Sequence, residues 1–309
     1  MNHSKALVSV IIPVYNAATT LDECIRSVVE QDSDSWELIL VDDGSEDDSG
    51  KICDAWAATD SRIMIRHQKN GGRSVARCNG VMMAKGDWCC FIDADDRIPQ
   101  HALSMLTEKT VDDTDIVFGN GYSINRKGSV DIETFRHLAV RGEGTIGVPW
   151  GTLFRRNLLT PYVFDVPRSF YMGEDYIFWL RIIFTTSKDV AVVYENVYTK
   201  NADTTSSSFV WTSDYAALIH AYRIDAIPHE KRGEFLTDTI ADRIANLFAV
   251  TLFEKRSEWR TNKFYRQLRE DMETTGIHFT AKQKIFLYLL SRKLKRIFSA
   301  VSNRRRSTR

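Results

Sequence analysis

The 309-residue sequence contains no stretch of 18 consecutive apolar residues and carries no net charge. A helix that crosses a bilayer needs about 20 such residues, so the sequence does not predict an integral membrane protein. The first apolar run, residues 7–14, is interrupted by Pro13, which is typical of neither a signal peptide nor a membrane span. Because Lys+Arg and Asp+Glu are equal at 41 each, no overall positive field selects nucleic acid as a partner.

Metal-type spacing is also missing among the cysteines and histidines. An odd number of cysteines with one adjacent pair argues against a disulfide framework or a zinc site, and reduced thiols in the cytoplasm are the simpler interpretation. The cysteines are Cys24, Cys53, Cys78, Cys89 and Cys90. The histidines His67, His101, His137, His220, His229 and His278 show no ligand spacing, so most are expected to be solvated or core residues. No internal repeat is present.

Strand and helix patterns alternate over the first hundred residues. β-branched and apolar runs predict buried strands at residues 7–14, 36–41, 63–65 and 88–92. Helical spacing of apolar residues predicts helices at 20–30, 47–58 and 74–84. This order implies an α/β fold with a parallel sheet, right-handed crossovers and helices on both faces.

The rest of the chain divides into two parts. Further strands are predicted at 115–118 and 190–198, a helix at 176–184, and a polar loop, suited to a mobile lid, at 201–208. From Trp211 the strand patterns stop and helical periodicity continues almost to the end. We therefore expect a nucleotide-binding domain at 1–210 and a helical C-terminal region at 211–309.

Two of the predicted strands end in acidic residues. The second ends in Asp42 and Asp43, and the fourth opens into Asp93-Ala94-Asp95-Asp96. Ligands of parallel α/β sheets bind outside the carboxyl ends of the strands, so both clusters fall at the expected binding edge. Mg²⁺ and Mn²⁺ prefer oxygen ligands, and Mg²⁺ is often held by one or two carboxylates and substrate phosphates. The alternatives are an acidic loop or a helix cap for the second cluster, and a capped turn for the first.

Five segments in order resemble a known family. They are Val8-Ser9-Val10-Ile11-Ile12-Pro13-Val14-Tyr15-Asn16, Val41-Asp42-Asp43-Gly44-Ser45, Asn70-Gly71-Gly72-Arg73-Ser74-Val75-Ala76-Arg77, Asp93-Ala94-Asp95-Asp96 and Gly173-Glu174-Asp175. Together they resemble the signature of family 2 glycosyltransferases with the Rossmann-like GT-A fold, over residues 7–210. The family usually has Asn where this chain has Cys78.

The resemblance implies an inverting transfer of a sugar from a nucleotide diphosphate, with a UDP-sugar as the expected donor, during bacterial cell-surface polysaccharide or lipopolysaccharide synthesis. It implies a general base, Asp175, with Glu174 beside it, and an aromatic contact to the acceptor, Trp150. It implies a site for Mn²⁺ or Mg²⁺ centred on Asp95 and flanked by Asp93 and Asp96. The residues it places at the nucleotide or donor are Pro13, Tyr15, Asn16, Asp42, Asp43, Gly72, Arg73, Arg77, Asp93, Ala94 and Asp95.

The residue types suit this chemistry. Asp43 can accept a hydrogen bond from a uracil N–H, and Tyr15 can supply an apolar face. A metal at Asp95 stabilises the departing diphosphate, and a carboxylate at Asp175 takes the proton of the acceptor hydroxyl. For Asp175 the alternative is a favourable contact with a helix N-terminus. For Arg73 and Arg77, four residues apart, a structural salt bridge is the alternative to phosphate binding.

Other functions remain open at this point. One alternative is a non-catalytic nucleotide-sugar-binding protein with a degenerate site, against which the presence of Asp95 and Asp175 argues. A sugar nucleotidyltransferase would carry a Gly-rich basic loop after the first strand, whereas this chain has Pro13-Val14-Tyr15-Asn16-Ala17-Ala18. A dehydrogenase is disfavoured because no GxGxxG follows that strand.

The C-terminal 30 residues are basic and amphipathic. Residues 280–309 contain ten Lys or Arg and no Asp or Glu. Apolar residues recur at helical spacing, namely Phe286, Leu290, Leu294, Ile297, Phe298 and Val301. Such a helix can lie in the interface of an anionic membrane, which would place a cytoplasmic enzyme at the inner face, near a glycan or lipid-linked acceptor. The alternative is a helix packed on the protein with a solvated basic tail.

Overall fold

The computed structural model of the chain describes residues 7–111, 113–170, 172–201 and 210–292. The chain forms two compact units, Met1–Thr205 and Ser206–Arg309. The sequence predicted a division after residue 210. The first unit is a mixed α/β layer structure, and the second contains only helices among its described residues.

The first unit is built on one sheet, which contains eight strands within the described residues. The strands are β1 Val8–Val14, β2 Trp36–Asp42, β3 Ile63–His67, β4 Trp88–Phe91, β5 Ile116–Phe118, β6 Gly128–Val130, β7 Thr152–Arg155 and β8 Val190–Val192. The helices of this unit are α1 Leu21–Val29, α2 Ser49–Thr59, α3 Arg73–Met83, α4 Ala102–Thr107, α5 Ile132–Arg141, α6 Pro161–Phe164 and α7 Glu174–Ile183.

The sheet order is β3-β2-β1-β4-β7-β5-β8-β6. The first four strands are mutually parallel, as predicted, because each is followed by a helix that returns the chain to the same edge. Strand β7 runs antiparallel to both β4 and β5, and β6 runs antiparallel to β8. The sheet is therefore parallel in its first half and mixed in its second.

The carboxyl ends of β2 and β4 meet at one edge because both strands flank β1. Val14 at the end of β1 pairs with Asp42, and Ile11 pairs with Phe91, the last residue of β4. The two acidic clusters thus lie on either side of the end of β1, as the sequence predicts. This edge carries the candidate site.

The strand predicted at 190–198 is wrong in its second half. Strand β8 ends at Val192, and the following residues leave the sheet. Val197 and Tyr198 are apolar or aromatic because they are buried, at 0% and 4% exposure, not because they belong to a strand. The backbone N–H of Val197 donates to the side-chain oxygen of Asn120, which replaces a ladder hydrogen bond.

An aromatic cluster fixes α7 against the sheet. Phe178 of α7 packs edge-on against Phe91 and Phe154, with ring centroids 5.7 and 5.4 Å apart. Trp179 packs on Phe118 at 5.9 Å, and its ring N–H donates to the carbonyl of Val148. Each such ring contributes about 2–3 kcal/mol by burial. The first turn of α7 is thereby held beside the strand-end edge.

A close approach sets the place of α3. A Cβ on Gly80 would lie 2.4 Å from the Cγ2 atom of Ile11, so only glycine lets α3 lie this near to β1. Helix α3 also packs on β2 and α6. Its N-terminal half consequently lies over the strand ends.

The second unit contains α8 Ser213–Ala226, α9 Leu236–Phe253, α10 Arg256–Trp259, α11 Lys263–Thr275 and α12 Ala281–Arg292. Helix α9 packs against each of the other four. Its interior side chains include Ile240, Leu247 and Val250, all fully buried. Within the described part of the chain, no helix is both long enough and apolar enough to cross a membrane.

Candidate active site

The two aspartates after β2 are both engaged by the protein. The Asp43 carboxylate accepts hydrogen bonds from the side chain of Gln68 at 2.7 Å and from the backbone N–H groups of Gly71 and Gly72 at 2.7 and 2.8 Å. Asp43 is 3% exposed. It therefore fixes the loop that leads into α3, a role that the sequence did not reveal.

Asp42 is held by the turn that follows it and by a histidine. Its Oδ1 accepts from the N–H of Ser45 at 3.0 Å, and its Oδ2 lies 2.8 Å from Nδ1 of His67. The other ring nitrogen of His67 lies 3.1 Å from Asp54. Although burial acts to raise the pKa of Asp42, hydrogen bonds from Ser45 and His67 lower it overall. His67, whose side chain is 48% exposed, thus contacts the aspartate that ends β2.

Tyr15 and Asn16, which are predicted to contact the nucleotide, are exposed to solvent. Tyr15 directly follows β1, two residues after Pro13, and is 49% exposed. Asn16 has a φ of 48°, which an Asn tolerates better than most residues. Its side-chain oxygen accepts from the N–H of Glu46 at 2.8 Å, which ties the β1 turn to the turn after β2. An exposed aromatic beside two strand ends is suited to stacking on a planar ring.

The three carboxylates of the acidic turn have different surroundings. Asp93 pairs with Arg77 at 2.8 Å. Asp96 accepts from the hydroxyl of Tyr198 at 2.8 Å and from the N–H of Asn201 at 2.9 Å, and burial raises its pKa. Asp95 is partly exposed and has no hydrogen-bond or ion-pair partner within the residues that the structure describes.

Tyr198 organises this turn. Besides donating to Asp96, its hydroxyl oxygen accepts from the backbone N–H of Asp93 at 3.1 Å. The carbonyl of Ala94, the residue between the first two aspartates, accepts from the hydroxyl of Thr20 at 3.1 Å. The turn is consequently rigid around Asp95. Sequence reasoning missed the role of Tyr198 because this tyrosine lies at the end of an apolar run that was predicted to be a strand.

The described residues contain no group of three His, Cys, Asp or Glu side chains arranged to hold a metal ion. Asp93 and Asp96 have protein partners, so the three-carboxylate arrangement is not preformed. Of the three carboxylates, Asp95 is the one with no partner within the described ranges, so it is available to a ligand. This fits Mg²⁺ or Mn²⁺, which are often held by one or two carboxylates with the remaining ligands from phosphates and water.

Helix α7 begins with the second pair of acidic residues. Gly173 precedes it with a φ of 90°, a conformation that favours glycine. Glu174 is 6% exposed and pairs with Arg73 at 2.5 Å; burial and the charge of Asp175 raise its pKa, and Arg73 opposes this shift. Asp175 pairs with Nη1 of Arg77 at 2.5 Å, and its side chain is 16% exposed.

Arginines of α3 therefore connect α7 with the acidic turn. Arg73 and Arg77 lie one turn apart, and their partners Glu174 and Asp175 are adjacent in sequence. Arg77 also reaches Asp93, so the predicted base and the predicted metal turn lie on either side of one guanidinium. Neither arginine is a free cation in the described part of the structure.

Trp150 lies deeper than an acceptor-binding aromatic is expected to lie. It is 9% exposed and stacks on Tyr198 with ring centroids 4.4 Å apart and planes 15° apart. The ammonium group of Lys200 lies 5.3 Å from the Trp150 ring centroid. The ring supports Tyr198, and its contact with an acceptor stays a prediction.

Cys78, the departure from the family pattern, lies on α3 between Arg77 and Asn79. Burial raises the pKa of its thiol, so it is not an activated nucleophile. Asn79 donates to Gln68 at 2.6 Å, and Gln68 in turn donates to Asp43. The polar side chain of Asn79 on α3 is therefore connected through Gln68 to Asp43, even though position 78 is a cysteine.

Two sequence predictions fall outside the described residues. The polar loop at 201–208 lies there apart from Asn201, and so does the basic segment from residue 293 onward, including Leu294, Ile297, Phe298 and Val301. The described part of the C-terminal pattern is α12, in which Lys282, Lys284 and Ile285 are exposed.

Comparisons with known proteins show the family and the fold of this chain. The sequence profile of glycosyl transferase family 2 matches residues 9–174, which include the strand-end aspartates and Glu174. The chain belongs to glycosyl transferase family 2. The glycosyltransferase GlyG of Streptococcus pneumoniae is 40% identical over 119 residues, which is 38% of this chain and 40% of GlyG. Matches to two further bacterial relatives span 33% and 34% of their lengths.

Solved structures show the same fold. The S. aureus TarS fragment 1–349 in complex with UDP-GlcNAc superposes with a TM-score of 0.59 at 17% identity, covering 89% of this chain and 93% of that one. The mannosyltransferase PcManGT of Pyrobaculum calidifontis, in complex with GDP-Man and Mn²⁺, has a TM-score of 0.57 at 16% identity, covering 96% of this chain and 84% of that one. The GT-A fold expected from the sequence is confirmed.

Proposed function

We propose that this chain is an inverting glycosyltransferase that moves a sugar, most simply a hexose, from a nucleotide diphosphate to a hydroxyl group of a glycan or lipid-linked acceptor. The observation that carries the proposal is the position of Asp175. This partly exposed carboxylate lies across the Arg77 side chain from the acidic turn. Nη1 of Arg77 donates to Oδ1 of Asp175 at 2.5 Å, and Nη2 donates to Oδ1 of Asp93 at 2.8 Å. The proposed base and the proposed phosphate-binding turn are thus adjacent, which supports the proposal because the reaction needs both at one substrate.

The nucleoside is proposed to lie between Tyr15 and the end of β2. Tyr15 offers a half-exposed ring, and Asp43 holds the Gly71–Gly72 backbone against the pocket. Because three donors already occupy the Asp43 carboxylate, any contact with a base N–H uses its remaining lone pair. Members of this fold bind different nucleotides, with UDP-GlcNAc in TarS and GDP-Man in PcManGT. We propose a UDP-sugar as the donor.

A divalent cation is proposed to bind at Asp95 together with the donor phosphates, with Asp93 as the neighbouring carboxylate. Asp95 suits this because it has no partner in the described residues and because Tyr198 and Thr20 hold the turn around it. When bound, such a cation neutralises negative charge that develops on the leaving diphosphate. We assign Asp96 a supporting role, since its carboxylate is occupied by Tyr198 and Asn201.

Asp175 is proposed to take the acceptor proton. As the acceptor oxygen forms a bond to the anomeric carbon, the bond from that carbon to the diphosphate breaks on the opposite face, which inverts the configuration. A diphosphate leaves as a stable anion, so no separate general acid is needed. Glu174, buried against Arg73, positions the first turn of α7 and does not reach the reacting atoms in this proposal.

The setting proposed is cell-surface polysaccharide assembly at the inner face of the plasma membrane. Lys282 and Lys284 on α12 are exposed beside Ile285, which is 58% exposed. These residues begin the basic stretch at 280–309, which attracts anionic lipid. A chain truncated before Thr280 is expected to lose binding to anionic vesicles, measured by co-sedimentation, whereas equal binding by the truncated chain would end the membrane proposal.

Calorimetry tests the donor site. The full chain is titrated with UDP, GDP, CDP and dTDP, each with and without Mn²⁺, and the Asp95→Ala variant is titrated in parallel. We expect one nucleotide to bind in a metal-dependent manner, and the variant to lose that dependence. If the folded chain binds none of them, the site is degenerate and the transferase proposal fails.

A further inference from the structure

Arg77 has surroundings that the expected role in donor binding does not explain. Its side chain is 3% exposed, and its two terminal nitrogens are both used, Nη1 by Asp175 and Nη2 by Asp93. Its Nε atom is buried and has no hydrogen-bond partner in the described structure. Each terminal nitrogen keeps a second N–H, but with the side chain only 3% exposed little of the guanidinium is open to a sugar or a phosphate.

The burial of this charge needs both carboxylates. Transfer of a cation from water into the protein is costly, and pairing offsets that cost only with good geometry. Burial acts to lower the pKa of Arg77, but Asp175 and Asp93 hold it above its usual value. The guanidinium is therefore charged at every physiological pH, and the two carboxylates are attached to a fixed cation.

The bridge joins parts of the chain that are far apart in sequence. Asp93 is 16 residues from Arg77, and Asp175 is 98 residues away. The ends of the bridge are rigid, because α3 is packed on β1 through Gly80 and the turn at Asp93 is held by Tyr198. Arg77 thus sets the separation between the start of α7 and the acidic turn.

We propose that Arg77 is a positioning residue, which holds the Asp175 carboxylate in register with the acidic turn and does not itself bind the donor. This inference rests on the proposed function, because it assumes that Asp175 is the base. Displacement of a base by about 1 Å costs about 100-fold in rate. The guanidinium fork supports two carboxylates in fixed directions, whereas a lysine ammonium is a point charge that can serve one of them well.

The test uses the full-length variants Arg77→Lys and Arg77→Gln. The turnover number at saturating donor is expected to fall about 100-fold in Arg77→Gln, with partial recovery in Arg77→Lys. The dissociation constant of the nucleotide is expected to change by less than about threefold in both, since Arg77 makes no donor contact. A nucleotide affinity weakened about tenfold or more, with unchanged turnover at saturation, would overturn the proposal in favour of donor binding.

Arg243→Gln is the matched control. Arg243 is also buried, at 1% exposure, and pairs with an aspartate, Asp271, but it lies in the helical unit. Its loss is expected to lower stability without a specific loss of turnover. A fall in turnover equal to that of Arg77→Gln would show that the loss of any buried arginine has this effect, which contradicts positioning.

A crystal structure of the Arg77 variants provides a readout independent of activity. The Asp175 carboxylate is expected to shift away from Asp93, while Asp43 stays in place. If Asp175 keeps its position without Arg77, the proposal is wrong. Should the wild-type chain transfer no sugar at all, the proposed function fails, yet this structural result still decides whether Arg77 positions Asp175. If Arg77→Gln does not fold, Arg77→Lys alone supplies both measurements.

Discussion

Each of the two units buries an arginine, and their surroundings differ. In the α/β unit, Arg77 bridges two carboxylates, Asp93 and Asp175, whose side chains are 21% and 16% exposed. In the helical unit, Arg243 pairs with Asp271 alone and leaves its Nε and Nη1 atoms without partners within the described residues. Arg77 connects two partly exposed carboxylates, whereas Arg243 joins α9 to α11 through a single carboxylate, Asp271, whose side chain is 27% exposed.

We propose that the difference separates a functional charge, Arg77, from a structural one, Arg243. A buried ion pair is weak support for stability, because replacement by apolar residues is often neutral or favourable. Beside the Arg77 bridge, the partly exposed carboxylate of Asp95 has no partner within the described residues, and we propose that the buried charge organises an open site there. Near Arg243, the cation Arg223 pairs with Asp242. We therefore expect substitutions in the first region to act on rate and in the second on stability.

The largest effect is expected from Asp175→Asn. Loss of the base is expected to lower turnover about 1000-fold, within the range of general base catalysis, while nucleotide binding stays nearly intact. Steady-state kinetics and calorimetry measure the two quantities. Unchanged turnover would remove Asp175 from the mechanism.

Asp271→Asn is the corresponding change in the other unit. It breaks the Arg243 pair and is expected to cost about 3 kcal/mol in the free energy of unfolding, because the arginine is left buried and uncompensated. Turnover per folded molecule is expected to stay unchanged. If turnover fell as in Asp175→Asn, the contrast between the two regions would be lost.

The first half of the sheet could be predicted from the sequence because β1, β2 and β4 are almost wholly buried and each of its four strands is followed by a helix, although β3 is buried only at Ile63. In the second half, the sequence predicted a strand at 115–118, where β5 lies, and one at 190–198, which begins with β8. It predicted neither β6 nor β7, which have three and four residues. Runs this short carry little periodicity, and the antiparallel direction of β7 depends on tertiary contacts. Strand β6, with exposed Gly128 and Ser129, has no strand pattern at all.

The positions of the acidic clusters at one edge followed from topology, but their partners did not. That Asp43 is occupied by Gly71 and Gly72, or that Asp96 is occupied by Tyr198, depends on contacts between distant segments. From the sequence, Arg77 was predicted either to bind phosphate or to form a salt bridge. The structure shows salt bridges from Arg77 to Asp93 and Asp175.

The comparison of the two units extends to the pH dependence of stability, through one histidine in each unit. His220 in the helical unit has its pKa lowered to about 3, chiefly by burial and then by the charges of Arg243 and Arg223. A group whose folded pKa lies below the unfolded value of about 6.5 destabilises the fold as pH falls below that value. The cost is about 2 kcal/mol at pH 5. Hydrogen exchange in α8 and α9 at pH 7 and pH 5 measures it.

The control for His220 is His220→Gln, which keeps a polar side chain but cannot titrate. Between pH 7 and pH 5, the protection of α8 and α9 is expected to fall less in this variant than in the wild type. Equal losses would show that His220 does not resist protonation, and that the charges of Arg243 and Arg223 do not govern it.

The smallest effect is expected from His67, where the sign reverses. Its pKa is raised by hydrogen bonds to Asp42 and Asp54, although burial opposes the shift. Its stabilisation is therefore fully present below the unfolded pKa of about 6.5 and is lost as pH rises through the folded value. Because the side chain is 48% exposed, solvent screens the pairs and the effect is small. The difference in melting temperature between wild type and His67→Gln is expected to shrink from pH 6 to pH 9. A difference that grew with pH would mean that Asp42 and Asp54 do not favour the charged ring, and the contrast with His220 would fail.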